Sequence, residues 1–256
     1  MSLPEFYVAM DQNTERPSEL PTDARLGQNL WMAKEQIDPR WPRLMGLAVH
    51  ELRTPITVAA GYIRMVTREK VGPITDQQRK VLEEAEKACA KLSALVGEMA
   101  DLAALEEGRA TVNKARMDLS RTLEEAADSL TPLPDRDIAI EIQGADHPSP
   151  ITGDVTRLRS AFASIIGALR RELVESNRLI VRLGRRTESC TIWIAGDDRI
   201  EQVVSADTST LDVFDEWRGG SGLALAIARR IIDQHGGRLL GLAGGEKASA
   251  VVVLPC

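Results

Sequence analysis

His50, Glu51 and Thr54 place an imidazole, a carboxylate and a hydroxyl within one turn of a predicted helix, in the string Val49-His50-Glu51-Leu52-Arg53-Thr54-Pro55. A helical residue advances by about 100°, so His50 and Thr54 project within roughly 40° of each other. Imidazole titrates near neutrality, and its neutral ring offers a nitrogen lone pair as a nucleophile without activation by a metal. Taken singly, Glu51 reads as a solvated surface carboxylate and Thr54 as the residue before a proline. Pro55 has no backbone N–H and crowds the preceding turn, so a bend is expected there, with a carbonyl near Glu51 left unpaired.

A turn of this kind needs a rigid helix beneath it. Leu44, Ala48, Leu52, Ile56, Ala59, Ile63 and Val66 recur at steps of three and four and predict a buried stripe, with His50 opposite it and exposed. The helix is expected to run to about residue 70. Asp38 offers a cap and Pro39 a first helical position, while Trp41-Pro42 interrupts or restarts the pattern. Residues 71–76 read as a turn with capping residues. A second helix follows, with its stripe at Val81, Leu82, Ala85, Cys89, Leu92, Val96, Met99, Leu102 and Leu105. Two long helices joined this way form a hairpin, and a hairpin buries only one side of each helix. Pairing of two hairpins into a four-helix bundle, and hence a homodimer, is the expected solution.

The composition narrows the class of function. With 256 residues, 43% hydrophobic, 27% charged and a net charge of −6, the chain is ordinary for a globular protein and carries no footprint for nucleic acid. No apolar run approaches the roughly 18 residues of a membrane span and no signal-peptide pattern is present, so a cytoplasmic location is expected. Cys89, Cys190 and Cys256 are far apart with no metal-ligand spacing and read as incidental; no metal site is expected from them. Residues 1–25 lack periodicity and read as loosely ordered, ahead of a short helix over 26–37.

From residue 109 the pattern becomes that of a separate α/β domain. Helices are expected over 119–130 and over 155–173, the latter capped by Asp154. Strands are expected over 138–142, 179–183, 191–195, 238–242 and 250–254. Between strands, Gly219-Gly220-Ser221-Gly222 opens an amphipathic helix closed by Gly236-Gly237, an arrangement whose backbone N–H groups suit phosphate. The bland alternative is a tight turn capping a core helix.

The His-Glu-Leu-Arg-Thr-Pro string on the first helix of a hairpin, followed in order by the glycine stretch, resembles a two-component sensor histidine kinase over roughly residues 40–256. The resemblance implies an α+β fold: a dimerisation and histidine-phosphotransfer domain over 38–108, forming a four-helix bundle in the dimer, after an N-terminal segment over 1–37. An α/β sandwich of the histidine-kinase ATPase type follows over 109–256, with helices on one face of a mixed sheet. It implies that His50 accepts phosphate, that Glu51 hydrogen-bonds or deprotonates the ring, and that Thr54 orients water when phosphate is removed from a receiver-domain aspartate. It implies ATP and magnesium as cofactors, with Gly220, Gly222 and Asp197 as the nucleotide contacts. The sequence departs from the family at several of these positions. Ser164 and Ala168 stand where the family carries two asparagines, the second of them the magnesium ligand, and alanine has no lone pair. In the stretch from Ile194 to Ile200 the adenine-reading aspartate is displaced or missing, leaving Asp197 to contact adenine only if the strand shifts by one residue. Ala224 replaces a glycine, and the lid before Gly219 is short. Arg170 and Arg171 are phosphate candidates whose ordinary reading is surface solvation. These departures imply a degenerate ATPase domain, weak or absent autophosphorylation, and a phosphotransfer or phosphatase role with a response regulator. The alternatives are a functional ATP-dependent autokinase and a non-catalytic receiver-binding scaffold.

Overall fold

The computed structural model describes residues 40–186, 188–216, 222–242 and 248–256. The helix expected over 26–37, the Asp38-Pro39 cap and Gly220 lie outside them. Residues 40–256 belong to one compact unit.

Helix α1 (Trp41–Thr67) starts with Pro42 in its first turn, where the missing N–H costs nothing, and continues through Pro55. Helix α2 (Asp76–Glu106) opens on a reciprocal cap: Thr75 Oγ1 accepts the Gln78 amide at 3.2 Å, and Gln78 Oε1 accepts the Thr75 amide at 2.9 Å. Gly108 (φ +65°) turns the chain out of the helix, a conformation glycine adopts without strain. The two helices pack along their length as the expected hairpin. Their burial corrects the predicted stripe, however. Pro42, Met45 and Val49 are the buried side chains of α1, whereas Leu44 (55% exposed) and Leu52 (43%) face outward. On α2, Val96, Leu102, Ala103 and Leu105 are buried while Val81 (66%) and Leu92 (48%) are exposed. On α1 the buried Met45 and Val49 each lie one residue past a stripe position, whereas on α2 the buried Val96, Leu102 and Leu105 belong to the predicted stripe.

The α/β part begins with β1 (Ala115–Asp118) and helix α3 (Leu119–Asp128), followed by β2 (Ala139–Gln143), β3 (Pro150–Gly153) and helix α4 (Val155–Glu172). Then come β4 (Arg178–Arg185), β5 (Ser189–Gly196), the short helix α5 (Ile200–Ser205) and β6 (Asp212–Val213). Helix α6 (Ala224–Gln234), β7 (Arg238–Gly241) and β8 (Ser249–Pro255) complete it. Strands β2-β4-β5-β8-β7-β6 form a mixed sheet of six, with β2 and β4 parallel and the other pairs antiparallel; β1 and β3 make a separate two-stranded ribbon. The sequence pattern missed β1, β3, α5 and β6, all of six residues or fewer, because so short a segment carries too few side chains to declare a period.

Strand residues alternate between the two faces of the sheet. Leu179, Val181, Cys190, Ile192, Ile194, Ala250, Val252 and Leu254 join α3, α4 and α6 in the main core around Phe162. Ile180, Ala195, Leu240 and Val251 pack on the opposite face against Ile200 and Val203 of α5. Three helices cover one face of the sheet, as expected, and the short α5 packs on the other. Asp154 caps α4 as expected, accepting the Arg157 amide at 3.1 Å.

Candidate functional site

Helix α1 carries His50, Glu51 and Thr54 on its outer surface, all exposed. The His50 side chain is 80% exposed, and its Nδ1 lies 3.4 Å from Glu51 Oε1. With Nδ1 engaged by the carboxylate, Nε2 is the ring nitrogen left to meet a reactant. Thr54 lies one turn further along. Pro55 denies Glu51's carbonyl its helical N–H partner, and in the same turn Thr57 Oγ1 donates to the Arg53 carbonyl at 2.8 Å. Below this turn the hairpin opens into a crevice of about 130 Å³ lined by Arg53, Ile56 and Thr57 of α1 and Ser93, Val96 and Gly97 of α2.

The positions that the resemblance assigns to nucleotide are placed differently from His50, Glu51 and Thr54. Ala168 is 1% exposed in the main core and Ser164 is half-buried on the same helix. Asp197 is exposed, yet both its oxygens are held: Oδ1 accepts the Ser176 hydroxyl at 2.5 Å and Oδ2 accepts Arg178 Nε at 3.0 Å. Those two hydrogen bonds hold its carboxyl below the usual range. Arg170 corrects the expectation of surface solvation. It is 8% exposed and donates to the Thr131 carbonyl, and burial, with Arg171 adding a smaller repulsion, lowers its pKa. That bond ties α4 to the loop after α3. Gly222 sits at φ +62°, immediately before α6.

Two features were not legible in the sequence. Glu98 of α2 accepts the Leu223 amide through Oε2 at 3.2 Å, placing a carboxylate at the start of α6 from 125 residues away. The approach uses the bare backbone of Gly222, where a Cβ would stand 3.2 Å from Glu98 Oε2 and 3.3 Å from Leu95 Cδ2. Nearby, Glu106 of α2 makes a two-pronged ion pair with Arg230 of α6, with Arg230 Nε donating to Oε1 at 2.7 Å and Nη2 to Oε2. Met45, Leu102, Ala103 and Ala226 form a small apolar cluster between hairpin and α6. The second feature is a thiol pair. Cys190 and Cys256 are 66 residues apart, but the antiparallel pairing of β5 with β8 sets their Sγ atoms 3.1 Å apart, and burial pushes the Cys190 thiol up to about 12. The two are therefore not unrelated positions, as spacing alone implied.

Residues 43–108 match the family model of the His Kinase A (phospho-acceptor) domain. The circadian input-output histidine kinase CikA of Synechococcus elongatus is 24% identical over 208 residues, covering 74% of this chain and 26% of that protein. The signal transduction histidine-protein kinase BarA of Escherichia coli is 24% identical over 201 residues, covering 73% of this chain and 22% of that protein. The chain thus spans about a quarter of the length of these curated relatives. Among solved structures, full-length ShkA in complex with AMPPNP superposes with a TM-score of 0.60 at 20% identity, over 84% of this chain and 45% of that one. The Acinetobacter baumannii histidine kinase AdeS superposes with a TM-score of 0.51 at 17% identity, over 80% and 96%. At these identities the likeness is one of fold: a helical hairpin followed by a mixed α/β sheet.

Proposed function

The chain belongs to the two-component sensor histidine kinase family, and on that premise we propose that His50 exchanges a phosphoryl group with a response-regulator aspartate while ATP-dependent autophosphorylation is weak or absent. The observation that carries this reading is the contrast between an open phosphoacceptor turn, with His50 80% exposed beside Glu51, and a core alanine at position 168.

In the exchange, the Nε2 lone pair attacks the phosphorus of the receiver's aspartyl phosphate. The N–P bond forms, the acyl O–P bond breaks, and the aspartate leaves as a carboxylate. Positive charge grows on the ring as it does so, and Glu51 at Nδ1 offsets it. The reverse step rephosphorylates the receiver. In the hydrolytic branch, Thr54 positions a water in line with the phosphorus, and the aspartate is freed together with inorganic phosphate.

The second domain supports a weaker role for nucleotide. Ala168 has no lone pair for a cation, Glu98 already occupies the Leu223 amide, and Asp197 is held by Ser176 and Arg178. These positions do not fit a magnesium–nucleotide complex. What nucleotide contact remains falls to the backbone of the glycine stretch at Gly220 and Gly222. The exposed apolar side chains of the hairpin support a homodimer, with Leu44, Leu52 and Leu92 covered by a second copy.

Two assays test the proposal. Incubation with labelled ATP and magnesium is expected to leave the protein essentially unlabelled; strong labelling that vanishes in His50→Gln overturns the reading. A phosphorylated receiver domain is expected to lose its phosphate in the presence of the protein, and that loss is expected to depend on His50 or on Thr54. Loss that is unchanged in both His50→Gln and Thr54→Ala, or no loss at all, would leave only the scaffold.

A further inference from the structure

We propose that Glu98 is a built-in anion that plugs the phosphate-facing end of α6, so that a phosphate-bearing ligand and the docked hairpin compete for the same backbone N–H. The proposal deepens the reading of α6 as the remnant nucleotide helix and rests on it.

A helix N-terminus combines unpaired N–H groups with the positive end of the helix dipole and therefore attracts an anion. Here the anion is supplied from within the chain. Glu98 Oε2 takes the Leu223 amide at 3.2 Å. Gly222 makes room for it, because the missing Cβ would otherwise crowd both Glu98 and Leu95. A glycine that lets phosphate approach a backbone thus lets a carboxylate approach instead.

The plug belongs to a larger contact. One turn and more along the same face, Glu106 pairs with Arg230, which raises the pKa of that arginine, and Met45, Leu102, Ala103 and Ala226 close the apolar seam between them. Glu98 and Glu106 are eight residues apart on α2, roughly two turns, so one helix face presents both carboxylates to α6. The hairpin that carries His50 is thereby tied to the end of the sheet domain where a phosphate would sit. Because two ligands of one site exclude each other reciprocally, whatever fills the α6 terminus from solution loosens α2, and whatever tightens α2 expels it.

The test uses the whole chain with ADP as the probe. Titration calorimetry is expected to show that Glu98→Ala binds ADP about tenfold more tightly than the unmodified protein, the scale of one hydrogen bond to a charged group. Glu98→Gln, which keeps an acceptor but loses the charge, is expected to fall between them. In hydrogen exchange without ligand, the Leu223 amide is expected to exchange faster in Glu98→Ala. With ADP at saturation, residues 95–102 of the unmodified protein are expected to lose protection. Equal ADP affinity in the unmodified protein and Glu98→Ala, or an unchanged Leu223 exchange rate, overturns the plug. Receiver dephosphorylation uses no nucleotide, so the relay at His50 succeeds or fails in a separate measurement.

Discussion

Thr54 and His50 share a helix face, yet the proposed roles separate them: one is the nucleophile, the other a positioner of water. Thr54→Ala is expected to slow the release of inorganic phosphate from the phosphorylated receiver roughly a hundredfold, the cost of losing an in-line water. It is expected to leave phosphoryl exchange with His50 in place, read as label appearing on the protein from a labelled receiver. His235 illustrates a residue whose part is structural. It is 4% exposed, with Nδ1 at 2.7 Å from the Ile231 carbonyl and Nε2 accepting the Asp154 amide at 2.9 Å. A second ring proton would face that amide, and burial lowers the pKa, with Lys114 and Arg157 working in the same direction and the bond to the Ile231 carbonyl and the Asp154 charge against it. The folded pKa lies below the unfolded value of about 6.5. His235 therefore contributes its full stability above about pH 6.5, and the contribution is lost as pH falls through the folded pKa. Denaturant unfolding is expected to show a slope from this site of at most about 1.4 kcal/mol per pH unit in that window, and His235→Gln is expected to remove it. The exposure of His50 was legible in the sequence because helical period is a local property. The Glu98–Leu223 bond was not, since nothing local marks a surface glutamate as the cap of a helix 125 residues away.

Among the elements, α2 depends on its start as much as on its packing. The reciprocal cap between Thr75 and Gln78 satisfies two backbone donors, so Thr75→Ala is expected to cost about 1 kcal/mol in a denaturation midpoint, with little change in the slope. Helix α4 is anchored instead by its core face, where Leu158, Phe162, Ile165, Ile166 and Leu169 have no measurable exposure. Phe162→Ala is expected to cost about 3–5 kcal/mol by calorimetry or denaturant, the range for a large cavity in a close-packed core. Helices α3, α4 and α6 and the longer strands fell within a few residues of the pattern read from sequence. The apolar stripe of α1 did not reduce to one buried face, because periodicity identifies which residues avoid water but not which neighbour covers them.

At the scale of the molecule, the hairpin leaves Trp41, Leu44, Leu47, Leu52, Tyr62, Val81 and Leu92 exposed in the single chain. Replacing Leu44 and Leu52 together by lysine is expected to convert a dimer to a monomer in light scattering at micromolar concentration while helical content is retained. An unmodified protein that is already monomeric under those conditions would remove the dimer from the proposal. The amino-acid sequence by itself determined the hairpin, the exposed turn at His50, the alternating strands and the absence of a side-chain oxygen at Ala168, because each is written in local spacing or side-chain chemistry. Only the tertiary structure decided the order β2-β4-β5-β8-β7-β6, the meeting of Cys190 with Cys256, and the docking of Glu98 and Glu106 on α6. Those contacts join residues far apart in the chain, and their energy depends on how the elements pack rather than on any residue's own preference.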